Sequence, residues 1–366
     1  MIKYLKVDNY CSLVNFKIDF SSINLILGGN GTGKSTLFSL LANLRLFIQG
    51  KCDVEDSFPF KSLTRWQLVP VQSFEFSLNY KDFEYLYQLE IEFNRDEEKN
   101  RVKKEIVLCN GNPIFKAENG KARLYNDSYN EGPEVLVNWS SSGVSSVYER
   151  TDNKKLCDFK QAVANIIVCH PLPFGYDFAV SYSEQQYINY FADNISNVYM
   201  HVVQKHPEKM MKLWEVLKEI NPCFVRTYLD GDSGKNLCFE YNQDGAKISY
   251  TLNELSDGER MLFTLYFLVT MYFDDDYSLF LDEPDNYISL QEVGQFIQYV
   301  QDLSNANNQC VLISHHPSVI DYLAPSCGIW LDRRSYGATL ITEPPKSDCG
   351  LTYSEIIAHG GTDEAE

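Results

Sequence analysis

Apolar and polar positions alternate with period two over residues 2–8 and 15–20, which predicts two strands of a hairpin. Ile23-Asn24-Leu25-Ile26-Leu27 reads as a short buried strand. It runs into a glycine-rich turn and then an apolar helix from about Ser35 to Ile48. Strand, glycine loop and helix in that order form one half of an α/β nucleotide-binding unit. Period two returns from Ser73 to about Tyr125, where Phe74, Phe76 and Leu78 precede Tyr85, Tyr87, Leu89, Ile91 and Phe93. Turn signals at Asn110-Gly111-Asn112-Pro113 and Asn119-Gly120 separate these runs and predict an antiparallel β-subdomain with one exposed face.

Residues 126–156 are rich in Ser, Asn and Gly and predict a loop or linker. Ala162 to Cys169 reads as a buried strand. Residues 183–220 read as helical with an interruption near His206-Pro207-Glu208. Strands at 224–229 and 236–241 lead to 247–252. Then come a helix from about Gly258 to Phe273, a buried strand at 278–282, a helix at 291–304 and a strand at 310–313. The expected organisation is an N-terminal lobe over 1–170, a helical and β insert lobe over 171–254, a C-terminal lobe over 255–345 and a tail over 346–366. No heptad pattern is sustained, which excludes a long coiled-coil arm.

Composition narrows the partners. The 366 residues carry 32 basic and 50 acidic side chains, a net charge of −18. A field of that sign repels nucleic acid and anionic membranes as a whole, so DNA contact needs a local basic patch. Lys103-Lys104, Lys154-Lys155 and the Lys209/Lys212 pair are the visible candidates, and an ordinary solvated surface is the plainer reading of each. The ten cysteines are scattered with no C-x-x-C pair, so a reduced cytoplasmic compartment is expected. The longest apolar run, Met261 to Phe273, has 13 residues and is too short to span a bilayer. The acidic tail Gly360 to Glu366 is expected to fray.

The candidate chemistry lies in four short segments. Gly28-Gly29-Asn30-Gly31-Thr32-Gly33-Lys34-Ser35, followed by Thr36, is a complete G-x-x-x-x-G-K-[ST] loop between a strand and a helix. Its glycines let backbone N–H groups wrap phosphates, and the helix N-terminus adds the positive end of its dipole. Lys34 would reach the β- and γ-phosphates of ATP, and the Ser35 hydroxyl would ligate Mg2+. Ser278-Leu279-Phe280-Leu281-Asp282-Glu283-Pro284 is an apolar strand ending in two acids. Asp282 is placed to hold the Mg2+, and Glu283 to orient and deprotonate the attacking water. Leu255-Ser256-Asp257-Gly258-Glu259-Arg260 opens a helix. There Ser256 and the Gly258 backbone offer a second phosphate-binding surface, although alone the segment is only a helix cap. Ile313-Ser314-His315-His316-Pro317 ends the next strand. His315 is expected to face the γ-phosphate, and His316, before a proline, to shape the turn.

Taken in this order, the four segments resemble those of the ABC-type ATPases, and the loop with Asn30 and the LSDGER signature resemble the SMC, RecF and OLD branch. The likeness extends to short "AAA family" ATP-binding proteins of bacterial defence operons, such as the ATPase subunits of Septu, PARIS and retron-linked systems. It covers most of the chain, with support from Val102 to Leu108 and from Asn194 to Phe224. It implies an α/β, ABC-type P-loop ATPase head with an antiparallel β-subdomain and an inserted helical lobe. It also implies a homodimer or higher oligomer in which the Ser256 segment of one subunit meets the ATP held by the other. Three family features depart from pattern. The Q-loop position falls on His170, better placed than Gln72, Tyr10 is either an adenine-stacking ring or a core residue, and Asp285 to Ser289 stands where the D-loop would be.

Three functions compete on this basis. One is an ATP-driven switch gating an operon-encoded effector, because no nuclease constellation accompanies the ATPase. Another is a repair or chromosome-maintenance ATPase that clamps DNA. A transporter subunit is disfavoured by the signature and the Q-loop. Asp274-Asp275-Asp276 is read as a solvated turn rather than a metal site.

Overall fold

A computed structural model describes residues 1–174, 180–274, 276–344 and 351–358. Asp275 and the tail beyond Ala358 lie outside the described residues. Two sheets dominate. The first has six strands in the order Ile166–Cys169, Ser278–Asp282, Gln309–Ile313, Ile23–Leu27, Gly328–Asp332 and Leu340–Thr342. The first five run parallel and the last is antiparallel. The first four of these strands are nearly continuous apolar runs because both faces are covered, whereas Leu340 and Ile341 on the edge strand are exposed. Val168, Phe280 and Val311 join one core cluster, while Ile167, Leu279, Leu281 and Leu312 join another on the opposite face.

The second sheet is antiparallel with eight strands, and the N-terminal hairpin belongs to it. Ile2–Asp8 pairs with both Phe16–Asp19 and Val71–Tyr80, and the path continues outward to Glu131–Leu136. The period-two residues Phe74, Phe76, Tyr85, Tyr87 and Leu89 are all buried. Gln309 ties the two sheets together: its side-chain amide accepts from Ile2 N–H at 3.1 Å and donates to the Ile2 and Ser21 carbonyls at 2.9 and 3.0 Å.

Three sequence expectations are corrected. The linker at 126–156 contains the strand Glu131–Leu136, and residues 154–164 form the helix Lys154–Ala164. The strand expected from Ala162 therefore starts only at Ile166. The spacing of Leu156, Phe159 and Val163, all buried, is helical, and this face closes over the antiparallel sheet. The helical stretch expected over 183–220 begins only at Ile195, as Ile195–Lys205 and Pro207–Ile220, because residues 183–189 lack an apolar stripe. The break at His206-Pro207 falls where expected. Val180–Ser181, before these helices, joins Phe224–Asp230, Lys235–Gln243 and Ala246–Thr251 after them in a small antiparallel sheet.

Phe159 anchors the covering helix. It is fully buried and stacks on Tyr87 at 5.7 Å and on Phe76 at 6.4 Å between ring centroids. Phe159→Ala is expected to cost ~3–5 kcal/mol through lost contacts and a residual cavity, read from the urea midpoint at unchanged slope. A loss below ~1 kcal/mol would mean that the helix is not a structural part of the sheet.

Candidate functional site

The parallel register brings four strand ends level. Leu281 lies opposite Cys169 and Leu312, Asp282 opposite Ile313, and Ile313 opposite Ile26. The residues that follow, His170, Glu283, Ser314 and the loop from Gly28, therefore emerge along one edge, the carboxyl edge where α/β sheets hold ligands.

The glycine loop is held from outside. A Cβ at Gly28 would run into the carbonyl oxygen of Leu331, and one at Gly33 would lie 2.8 Å from Thr339 Oγ1. Gly33, at φ 101°, opens the helix Lys34–Ile48 without a side-chain cap, so its first-turn N–H groups face the loop's concavity. Thr339 donates to the Thr32 carbonyl at 2.8 Å and fixes the loop's back. Lys34 is buried and folds onto its own loop, donating to the Gly28 and Gly29 carbonyls at 2.6 and 3.0 Å. Burial lowers its pKa, and the charges of Asp282 and Glu283 act against that shift.

Asp282 is only 2% exposed. Burial raises its carboxyl pKa, opposed by a hydrogen bond from Ser35 and the nearby His170. Tyr190 donates to its Oδ2 at 3.4 Å, while Oδ1 is buried with no partner among the described residues. His170 Nδ1 is likewise buried and unpartnered, 4.0 Å from Asp282 Oδ2. Among the described residues no three His, Cys, Asp or Glu side chains form a metal site. A cation here would need Asp282, Ser35 and phosphate oxygens together, and the orphaned Oδ1 fits that donor set.

Glu283 sits at φ 50°, a left-handed conformation that non-glycine residues rarely adopt and that marks functional strain. Its N–H donates to the Ile313 carbonyl at 2.9 Å, which turns the side chain into the cleft, where Asn286 donates to Oε2 at 3.0 Å. His315 Nε2 lies 3.8 Å from Glu283 Oε1. His316 is the turn residue: its Nδ1 caps the next helix by accepting from Ser318 N–H at 3.3 Å.

A cleft of about 440 Å³ gathers Asn30, Gly31, Thr32, Gly33, Lys34, Ser35 and Thr36 with Glu283 and His315. Ser256 and Gly258 do not line it. They begin the separate helix Asp257–Tyr272, whose N-terminus is closed by a capping box between Ser256 and Glu259. Ser256 Oγ donates to Glu259 at 2.7 Å, so any phosphate arriving there must displace that carboxylate. Tyr10 is 5% exposed and packs edge-on against Phe74, which makes it core.

Sequence reasoning missed the far wall of the cleft, formed by Arg65, Trp66 and Arg333. Arg333 donates to the Gly31 carbonyl at 3.2 Å and lies 6.0 Å from the ring centre of the half-exposed Trp66. The strand Gly328–Asp332, next to the phosphate-loop strand, delivers it. Only the strand order reveals that neighbour, although a tryptophan after Arg65 in a polar run was a visible signal.

Residues 1–222 match the family described as AAA ATPase domain. CCR4-associated factor 16 of Saccharomyces cerevisiae is 38% identical over 73 residues, which make up 20% of this chain. The chain matches only 25% of that relative's length. The crystal structure of an SmcHead bound to the C-winged helix domain of ScpA superposes with a TM-score of 0.57 at 16% identity, covering 93% of this chain and 97% of that one. The Smc head domain with an extended coiled coil, bound to the C-terminal domain of ScpA derived from Pyrococcus furiosus, gives 0.52 at 12% identity, with 98% of each chain covered. At these identities the likeness shows the fold alone.

The raised pKa of Asp282 carries a sign. Its neutral form is favoured in the folded chain, so stability is full below about pH 3.9, the ordinary Asp value, and falls as pH rises through the folded pKa. Asp282→Asn is therefore expected to be more stable than the wild type at pH 7.5 without nucleotide, by about 1 kcal/mol. The gap should close towards pH 4, as read from urea unfolding at both pH values. Equal stability at pH 7.5 would show that the carboxylate bears no burial cost.

Proposed function

From the premise that this chain belongs to the AAA ATPase domain family, in the fold of an ABC-type P-loop ATPase head, we propose that it hydrolyses Mg-ATP in a composite dimer site and uses the cycle to switch a partner effector. One observation carries the reading. Lys34, Ser35, Glu283 and His315 line one cleft over Asp282, while Ser256 and Gly258 sit outside it on an exposed helix start. A nucleotide held by the first group has its γ-phosphate open to solvent, and a second copy can close it with the Ser256 face.

In this scheme Lys34 leaves the Gly28 and Gly29 carbonyls to reach the phosphates. Asp282 and Ser35 would hold the Mg2+, which neutralises phosphate charge when bound. Glu283 takes the proton of the attacking water, with His315 beside it to brace the carboxylate and contact the γ-phosphate. Arg333 and Trp66 offer a guanidinium plane and an indole face to the base. His170 sits at the metal side, next to Asp282.

Closure and release supply two discrete head arrangements, and a partner that binds one better responds to the cycle. The antiphage setting rests on the likeness of the motif set to defence-operon ATPases. A DNA-clamping role is favoured by the SMC-head fold. Against it, Lys103 and Lys104 share Glu90 as ion-pair partner, and Lys209 pairs with Asp274. Among the described residues no helix is long and apolar enough to cross a membrane.

Glu283→Gln should bind ATP yet turn it over at least ~100-fold more slowly, since loss of a general base costs about 10²–10⁴-fold. It should then accumulate as a dimer on size-exclusion with Mg-ATP, retaining any partner that prefers the closed state. Turnover at the wild-type rate removes Glu283 from that role.

Ser256→Arg should keep ATP affinity but abolish turnover, whereas Lys34→Ala should lose binding. Mixing the two inactive chains should restore up to about a quarter of the activity through dimers with one intact site. A Ser256→Arg chain that hydrolyses ATP normally as a monomer would refute the composite site.

A further inference from the structure

A second cavity, of about 880 Å³, is larger than the nucleotide cleft of about 440 Å³. It lies between the second half of the helix Lys34–Ile48, the helix Lys154–Ala164 and the segment 185–194. Arg45 stands in its wall at 8% exposure. Its Nε donates to the Ala164 carbonyl at 3.2 Å, and its guanidinium packs 4.9 Å from the Tyr187 ring centre. Among the described residues no carboxylate comes within ion-pair reach of Arg45. The same holds for Lys160 and Lys51, which also line the cavity. Lys160 is held by two carbonyls, those of Ser145 and Val147, at 3.2 and 2.8 Å.

Three cations against the single acid Glu149 is an unusual lining in a chain of net charge −18. A buried guanidinium without a counter-charge is costly, and an incoming anion offsets that cost. The rest of the wall is suited to a flat polar ring. Tyr187 presents a face, and the side-chain amides of Gln49 and Gln186 have no hydrogen-bond partner among the described residues. A volume of this size falls in the range of small-molecule sites, roughly 300–1,000 Å³.

We propose that this cavity is a second ligand site that binds a phosphorylated small molecule of the mononucleotide class, with Arg45 and Lys160 on the phosphate and Tyr187 on the base. Its position makes it an effector site. Tyr190 lines the cavity, donates to Asp282 at 3.4 Å and accepts from His170 N–H at 2.6 Å. A ligand that shifts Tyr190 therefore acts on the acidic strand end. This coupling rests on the ATPase reading above, whereas the binding site itself does not.

The two are separated by using Lys34→Ala, which silences the phosphate loop. AMP, GMP and inorganic phosphate are titrated calorimetrically into the wild type and into Lys34→Ala. One mononucleotide is expected to bind Lys34→Ala at one per chain, at least tenfold more tightly than inorganic phosphate. Arg45→Met should weaken it tenfold or more. The exposed Lys51→Glu, which leaves the core untouched, should weaken it several-fold and serves if the buried variant fails to fold. In the wild type the bound mononucleotide should change ATP turnover at least twofold. Failure of both mononucleotides to bind Lys34→Ala at millimolar concentration overturns the proposal. So does undiminished binding by Lys51→Glu, or inorganic phosphate binding as tightly as the mononucleotides. Binding without any change in turnover overturns the effector role.

Discussion

Asp282 is a carboxylate sealed at the end of a fully buried strand, with one oxygen that no group among the described residues satisfies. Leaving such a group unpaired costs more than a typical hydrogen bond contributes, so the fold around it must hold it there against relaxation. The parallel sheet does so. Its strand is paired on both sides, locked in register and covered on both faces by separate clusters. The neighbouring charge, Lys34, is buried as well and satisfies itself on the carbonyls of its own loop. Two opposite charges are thus kept apart at one edge, and a group carrying both a cation and phosphates would answer both. Glu283 at φ 50° belongs to the same arrangement, since strain at that step turns its carboxylate into the cleft.

What the sequence made legible was local. The phosphate loop, the acidic strand and the turn histidine each announce themselves within eight residues or fewer, because the backbone geometry they need requires particular residues in immediate succession. Period two marked most of the antiparallel sheet for the same reason. What stayed hidden depends on strand order. Arg333 reaches Gly31 only because the strand before it inserts beside the phosphate-loop strand, 302 residues away in the chain. The N-terminal hairpin reads as independent until Ile2–Asp8 is seen to bridge it to Val71–Tyr80. At Lys154–Ala164 the error was one of period. Ala162, Val163 and Ala164 are separated from the apolar Ile166–Cys169 only by Asn165, which is the helix C-cap, and only Leu156 and Phe159 upstream show the helical spacing.

His170 illustrates an intermediate case. Its place after a buried strand marked it as facing the nucleotide edge, and the register sets it beside Asp282 rather than in the cleft. The side chain stacks on Tyr190 with an interplanar angle of 20°, and its backbone bonds the same residue. Tyr190 is thus shared by the histidine, the aspartate and the cavity wall.

That sharing has a mechanical consequence. The segment 185–194 has no regular secondary structure, but it is bonded within itself as well as outward: Asn194 ties to Gln185, Tyr187 and Asn189, and Asn189 to Asp193 and Ala192, while Ile188, Tyr190 and Gln185 reach Tyr272, Asp282 and Asn197. A segment built this way keeps its shape through its own side-chain bonds and carries that shape to the elements it touches. The helices Ile195–Lys205 and Pro207–Ile220 follow directly from it and pack on the helix Asp257–Tyr272, which carries Ser256 at its start. Asp282 and the helix that begins at Ser256 are thus joined by contiguous packing through one internally bonded segment. Coupling between two sites requires such packed continuity together with two discrete arrangements that both sites bias.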